Sequence, residues 1–249
     1  MQGIKKTLFT LNIGNYAPEI TAITYPLLKY WANKIGADFY TITERKFPDW
    51  PVTYEKLQIY ELAQQMGNDW NIYVDSDAVI HPETLDWTLY LPKDTVSHNG
   101  RDFANIRWRY NDYMRRDGRH WGSCNWFTIA SDWCVDLWRP LDIPFDEAVE
   151  NIFPTRQERN AVTERDHLID DYSLSNNIAR FGLKAKTIMD VQKDLGFADS
   201  SFHYHLYNIT EKEKLEGYLD VVSGKQIDGI IKLVNEVWQI PEYVKNYGK

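Results

Sequence analysis

Cysteine is nearly absent from this chain, Cys124 and Cys134 being the two present among 249 residues. Two thiols allow neither a disulfide framework nor a thiolate zinc set, and both are expected to be reduced and partly buried. Missing too is any apolar run of membrane length, and Met1-Gln2-Gly3-Ile4-Lys5-Lys6 leads into a strand-like Thr7 to Ile13 without a signal-peptide core. A cytoplasmic location is the expectation that follows. Basic charge is in deficit: 28 Lys and Arg face 36 Asp and Glu, for a net charge of −8. That balance offers no global attraction to nucleic acid or anionic membrane, although it leaves room for local basic patches. No linker divides the chain, so one α/β domain is expected. Glycine is scarce where a phosphate loop would need it, since Asn12-Ile13-Gly14-Asn15 holds one. Aromatic residues are the excess, with 10 Trp and 16 Tyr. Their flat apolar faces and polar edges suit sugar rings as well as core packing, and core packing accounts for most of them.

The run Trp70-Asn71-Ile72-Tyr73-Val74-Asp75-Ser76-Asp77 organises the rest. Its β-branched and aromatic residues, bounded by Gly67-Asn68-Asp69 and His81-Pro82, predict a short buried strand that stops at two carboxylates. Ligands of open α/β sheets bind at the carboxyl ends of strands. Two carboxylates there repel each other unless a hard divalent cation lies between them, and Mg²⁺ or Mn²⁺ is held by a few carboxylates plus phosphate oxygens. A metal–diphosphate site is one reading of the spacing, and a polar turn after a strand is the other.

Upstream, Thr7 to Ile13 predicts a first strand. Ile20, Ile23, Leu27, Trp31 and Ile35 then recur at helical spacing from Pro18 to a stop at Gly36, with a kink or restart expected at Pro26. Phe39 to Thr43 predicts a second strand, and Leu57, Ile59, Leu62, Ala63 and Met66 a second helix stopped by Gly67. Strand, helix, strand, helix, strand is the order of a parallel, right-handed α/β sheet.

Tyr54-Glu55-Lys56-Leu57-Gln58-Ile59-Tyr60 followed by Trp70 to Ile80 resembles the helix-to-DxD stretch of nucleotide-sugar-dependent glycosyltransferases of the GT-A fold, in particular the galactosyl/mannosyltransferase and glycogenin-like groups. With the first strand and helix, the likeness spans roughly the first third of the chain. It implies a GT-A-like, mostly parallel sheet flanked by helices, and Mn²⁺ or Mg²⁺ on Asp75, Asp77 or both. It also implies a nucleoside-diphosphate sugar donor, UDP-sugar favoured, whose nucleotide pocket is lined by Thr10, Leu11 and Asn12, with Ser76 between the two acids. Lys56 faces either the diphosphate or, on a polar helix face, solvent.

Further along, Pro82 to Pro92 reads as a connection with Leu85 and Leu89 packed inward, and Thr95 to Gly100 as a strand and turn. Arg101 to Trp121, dense in Arg, Tyr and Trp, is either an acceptor-binding loop or an exposed helix with cation–π contacts. Asn125 to Ala130 predicts a strand, with Ser131 capping a short helix through Trp138. Leu141 to Thr163 reads as a long loop, and Arg156, Arg159 and Arg165 in or beside it either meet a diphosphate or are surface residues. Asp170-Asp171 opens a helix carrying Leu174, Ile178 and Phe181 and ending at Gly182. The acidic pair resembles the segment that contacts the acceptor in many GT-A enzymes and removes its hydroxyl proton in inverting ones, Asp171 being favoured over Asp170. A plain acidic helix cap explains the same charges.

After a strand at Ala185 to Met189, Phe202-His203-Tyr204-His205 places two histidines two apart, which share a face of a strand. Neutral imidazole ligates Mn²⁺, and the family likeness implies a late histidine ligand, His203 or His205. The longer His-Gly-Lys-Pro pattern of the glycogenin-like group is absent. From Thr210 onward a helical segment carries Ile227, Ile230, Ile231, Val234 and Trp238 up to Pro241, an apolar stripe for the domain or for a second copy of the chain.

The expectation is one domain, with residues 1–97 binding the nucleotide sugar, 98–208 the acceptor and 209–249 forming C-terminal helices. Its expected activity is transfer of a hexosyl group to a glycan, lipid, protein or nucleic-acid-base hydroxyl, retention being mildly favoured by the likeness to the galactosyl/mannosyltransferase group. A non-catalytic carbohydrate- or nucleotide-binding protein and a sugar-phosphate nucleotidyltransferase are the alternatives, because fold does not imply function.

Overall fold

The computed structural model describes residues 3–98, 101–102, 121–122, 126–152, 169–196, 203–205 and 226–249. Cys124, the aromatic and basic stretch 103–120, and Arg156, Arg159 and Arg165 lie outside them.

A six-stranded mixed sheet forms the centre, in the spatial order β2-β1-β3-β8-β5-β9. Its strands are β1 (Lys6–Leu11), β2 (Ala37–Ile42), β3 (Trp70–Val74), β5 (Thr95–His98), β8 (Phe127–Ser131) and β9 (Lys184–Thr187). β1 pairs in parallel with both β2 and β3, β5 pairs in parallel with β9, and β8 runs antiparallel between β3 and β5. The mostly parallel α/β sheet flanked by helices is therefore as expected. Every residue of β3 is buried, because alternate side chains enter different cores. Trp70, Ile72 and Val74 join Leu28 and Trp31 of α1 (Pro18–Lys34), whereas Tyr73 joins Tyr54, Leu57 and Trp138 on the opposite face.

That opposite face is covered by a 3-10 helix (Val52–Gln58) running into α2 (Ile59–Met66), by a second 3-10 helix (Asp132–Trp138), by α3 (Phe145–Ile152) and by α4 (Ile169–Arg180). α5 (Ile188–Asp194) follows β9, where a longer strand was expected. Ser131 caps the second 3-10 helix as expected, its hydroxyl accepting from Trp133 N at 3.1 Å.

Several expectations fail for identifiable reasons. α1 runs unbroken through Pro26 from Pro18 to Lys34. Leu89 is 65 % exposed, because Trp87 fills the core position in that connection instead. The stretch read as loop after Leu141 contains α3, whose Phe145, Ala148 and Val149 pack inward and whose first turn is closed by Ala148 N donating to Pro144 O. Ile231 is exposed, whereas Ile230 and Val234 are buried.

The C-terminal elements are α6 (Gln226–Lys232), a π-helical turn (Leu233–Val237) and α7 (Glu242–Lys245). They pack on the domain itself: Ile230, Leu233, Val234, Ile240 and Val244 form a third core with Ile20 and Leu27 of α1 and with Val79 of β4 (Ala78–Ile80). β4 pairs antiparallel with β10 (His203–His205), and β6 (Arg101–Asp102) pairs antiparallel with β7 (Trp121–Gly122). Among the described residues, no helix is long and apolar enough to cross a membrane.

Candidate active site at the end of β3

Within Trp70 to Ile80 every residue is buried except Asp75 and Asp77. The chain thus meets solvent at its two carboxylates and nowhere else in that run. The residue that precedes β8 holds the first of them in place, since Asp75 N donates to Trp126 O at 2.8 Å. The next three residues close a turn through Ala78 N to Asp75 O at 3.0 Å. At the tip of that turn, the Thr24 hydroxyl of α1 donates to Ser76 O at 2.6 Å.

Asp75 Oδ1 receives two donors. The Tyr73 hydroxyl lies at 2.5 Å and Lys56 Nζ at 3.4 Å, so the rotation of the carboxylate is fixed from one side. Lys56 is 3 % exposed and its ammonium also meets Asp170 Oδ2 at 2.6 Å, while standing 4.8 Å from the centre of the Tyr73 ring. Burial by itself lowers the pKa of that ammonium, but the charges of Asp170 and then Asp75 outweigh it and hold Lys56 protonated well above the usual lysine range. Burial, and then the neighbouring Asp75, keeps the Tyr73 phenol well above its ordinary value. Tyr73 is therefore a donor to Asp75.

Lys56 points inward because of its local structure. Tyr54, Glu55, Lys56 and Leu57 are four consecutive buried residues in the tight 3-10 turn before α2. Glu55 anchors that turn, its carboxylate accepting from Arg45 Nε at 2.7 Å, Lys46 N at 2.9 Å, Phe47 N at 2.9 Å and Gln58 Nε2 at 2.7 Å. The Tyr54 ring stacks on Trp50 at 3.9 Å, and its hydroxyl accepts from Leu141 N at 2.8 Å. Of the two readings for Lys56, solvation is excluded. It occupies the space between Asp75 and Asp170 rather than an open helix face.

Asp170 and Asp171 open α4 and are both buried, at 6 % and 9 % exposure. Asp170 is the one that reaches Lys56. Its Oδ1 is buried with no hydrogen-bond partner among the described residues. On the far side of the turn, Tyr16 approaches Asp77. Burial and then the charges of Asp77 and Asp75 raise its phenol pKa. The loop that carries Tyr16 is held by Tyr16 N donating to Asn12 Oδ1 at 2.7 Å, with Asn15 and Ala17 in the left-handed region at φ 57° and 44°. Asn12 thus lies at the site and acts on its loop. Thr10 is fully buried, and Leu11 is half-buried beside it.

Register places His205 opposite Ala78 and His203 opposite Ile80, so β10 runs beside the segment that follows Asp77. Sequence reasoning missed Tyr16, Tyr73 and Thr24. Tyr73 was within reach, because a residue two before an aspartate in a strand shares its face. Tyr16 and Thr24 reach the turn through tertiary packing and carry no local signal.

Hard oxygen donors suit a hard divalent cation, and Mg²⁺ sites commonly use one or two carboxylates with substrate phosphates and water supplying the rest. Among the described residues, no three His, Cys, Asp or Glu side chains form a ligand set. A cation on Asp75 and Asp77 would therefore draw its remaining ligands from substrate and water, or from outside the described residues.

The sequence matches no protein-family model and no curated protein. Among solved structures, the chain is similar to a glycosyltransferase involved in glycosylation of the major capsid of PBCV-1, at 10% identity and a TM-score of 0.43, over 84% of this chain and 96% of that one. It is also similar to the apo form of mouse xyloside xylosyltransferase 1, at 8% identity and a TM-score of 0.41, over 82% and 98% of the two chains.

Proposed function

We propose that the protein is a metal-dependent glycosyltransferase of GT-A type, transferring a hexosyl group from a nucleoside-diphosphate sugar to an acceptor hydroxyl. The observation that carries this reading is the burial of the whole β3–β4 segment except Asp75 and Asp77, at the strand end where an α/β sheet binds its ligands. Asp75 and Asp77 hold Mn²⁺ or Mg²⁺ together with the diphosphate, and His205 or His203 of β10 is the further ligand tested first. The cation supplies neutralisation of the charge that develops on the departing diphosphate. Lys56 and Tyr73 hold Asp75 in a fixed rotation before substrate arrives, which removes a reorganisation step from the reaction.

Asp170 takes the role at the sugar. A buried carboxylate oxygen without a donor is costly, by about 1–3 kcal/mol, and a substrate hydroxyl removes that cost. Because its other oxygen is committed to Lys56, Asp170 orients a hydroxyl, and an orienting role accords with retention. Asp171 remains the candidate base if the reaction inverts. UDP-sugar is the donor tested first, and a glycan, lipid, protein or nucleic-acid base is the acceptor class to be resolved. Arg101 to Trp121 is the candidate acceptor segment by sequence.

Calorimetric titration with UDP and GDP, with and without Mn²⁺, on wild type and Asp77→Ala tests the reading. Manganese-dependent binding of one nucleotide that disappears in the variant supports it and identifies the base. Binding of neither nucleotide in any condition rejects it. Release of nucleoside diphosphate from a nucleotide sugar then separates the transferase from a binding protein, which releases none, and from a nucleotidyltransferase, which releases pyrophosphate.

A further inference from the structure

The Asp75-Ser76-Asp77-Ala78 turn has one soft degree of freedom. Its ends are tied by Ala78 N to Asp75 O, but the central peptide of such a turn, Ser76 C=O with Asp77 N–H, can rotate by about 180° between the two common turn types. That rotation moves the Asp77 backbone between negative and positive φ and redirects its Cα–Cβ bond, while Asp75 stays fixed. Positive φ occurs at Asn15, Ala17 and Gln239 among the described non-glycine residues, so Asp77 is in the negative-φ form.

The atom that reports this orientation is Ser76 O, and it is held. Thr24 Oγ1 donates to it at 2.6 Å, with Thr24 fully buried and Ser76 4 % exposed. Water therefore has little access to replace the bond. Thr24 in turn sits between Ile20 and Leu27 on α1, and both of these pack with Val79, two residues past Asp77, and with Ile230, Leu233 and Val234 of the C-terminal segment. The helix that carries the hydroxyl is thus clamped on the strand that leaves the turn.

We infer that Thr24 is a positioning residue, its hydroxyl selecting the turn conformation that presents the Asp77 carboxylate to a bound cation and diphosphate. This rests on the metal reading above for its functional consequence, though not for its effect on the turn. The residue touches no substrate. It acts through the Ser76 peptide.

Thr24→Val keeps the branched shape and removes the donor, whereas Thr24→Ser keeps the donor and removes a methyl group. Two readouts are taken on each full-length variant: amide hydrogen exchange at Asp77 and Ala78 in the metal-free protein, and Mn²⁺ affinity in the presence of UDP. The expected result is about tenfold faster exchange at Asp77 and Ala78 in Thr24→Val, without a matching change at Ile72 in β3, and Mn²⁺ affinity lower by about the same factor. Thr24→Ser restores both. Wild-type exchange at the turn in Thr24→Val, or an equal acceleration at Ile72, overturns the inference. If wild type binds no Mn²⁺ with UDP, the functional reading fails instead, and the exchange comparison still decides whether Thr24 sets the turn.

Discussion

Asp75 and Asp77 are two residues apart and are held in opposite ways. Asp75 is fixed from the sheet side: its amide is tied to Trp126 just before β8, and its carboxylate to Tyr73 and to a buried lysine that also carries Asp170. Asp77 is held from outside, by a turn whose central peptide leans on α1, and its charge is felt by the Tyr16 phenol of the β1–α1 loop. One acid is built into the core and the other is presented by the periphery. The difference teaches that the direction of Asp75 depends on the core of the sheet, whereas that of Asp77 depends on how α1 packs against a turn.

The sharpest way to break that contrast is Asp77→Ala. Cation-dependent nucleotide binding is expected to fall below detection in calorimetry, while thermal unfolding stays near wild type. A large loss of thermal stability would show that Asp77 is structural after all. Lys56→Met attacks the other side. It leaves Asp170 buried without its partner, which costs about 3–5 kcal/mol in denaturant unfolding. Adding Asp170→Leu to Lys56→Met is expected to recover most of that, because the charge left behind is gone.

His98 offers a pH test of the core side. It lies in register with Thr128, which is itself in register with Tyr73, and burial pushes its imidazole down to about 4 against the opposing pull of Asp190. In the unfolded chain it titrates near 6.5. Between those values the unfolded state holds a proton that the folded state does not, so the contribution is complete above about 6.5 and is lost as pH falls toward about 4. The loss approaches about 3 kcal/mol, with a slope of about 1.4 kcal/mol per pH unit. His98→Gln is expected to flatten the stability profile across that window, and an unchanged slope would remove His98 as its source. The smallest effect is Tyr73→Phe, about 1.5 kcal/mol in chemical unfolding, with Asp75 remaining in place on Lys56. A loss of cation binding as complete as in Asp77→Ala would mean that Tyr73, rather than Lys56, sets the Asp75 rotation.

The same contrast describes what could be read from the sequence. β3 was legible because four apolar or aromatic residues in a run of five, ending at an acid, fit one kind of element, and β1, β2 and α1 followed by periodicity. Lys56 was ambiguous because α-helical spacing assigns it to a polar face, whereas the chain there winds as a 3-10 helix and buries four residues in succession. α3 was missed although Phe145, Ala148, Val149 and Ile152 keep helical spacing, since Pro140 and Pro144 stand where a loop would hold them, whereas Pro144 in fact begins the first turn. The acidic pair was recognised at its helix start, but the contact of Asp170 with Lys56 was not, because it joins residues 114 apart in the chain. Nothing local in the sequence indicates that Thr24 and Tyr16 converge on one turn, because their proximity is a product of the packing of α1.

The third core has a consequence for the order in which the molecule assembles. It joins Ile20 and Leu27 near the start of the chain to Val79 and then to Ile230, Leu233, Val234 and Val244 far downstream. Contacts of such long sequence separation carry a loop-closure cost and form late in folding. The Thr24–Ser76 bond that holds the Asp77 turn spans 52 residues, whereas the Lys56–Asp170 pair beside Asp75 spans 114. A chain that has docked α1 on the turn before α4 reaches Lys56 therefore holds half of the site.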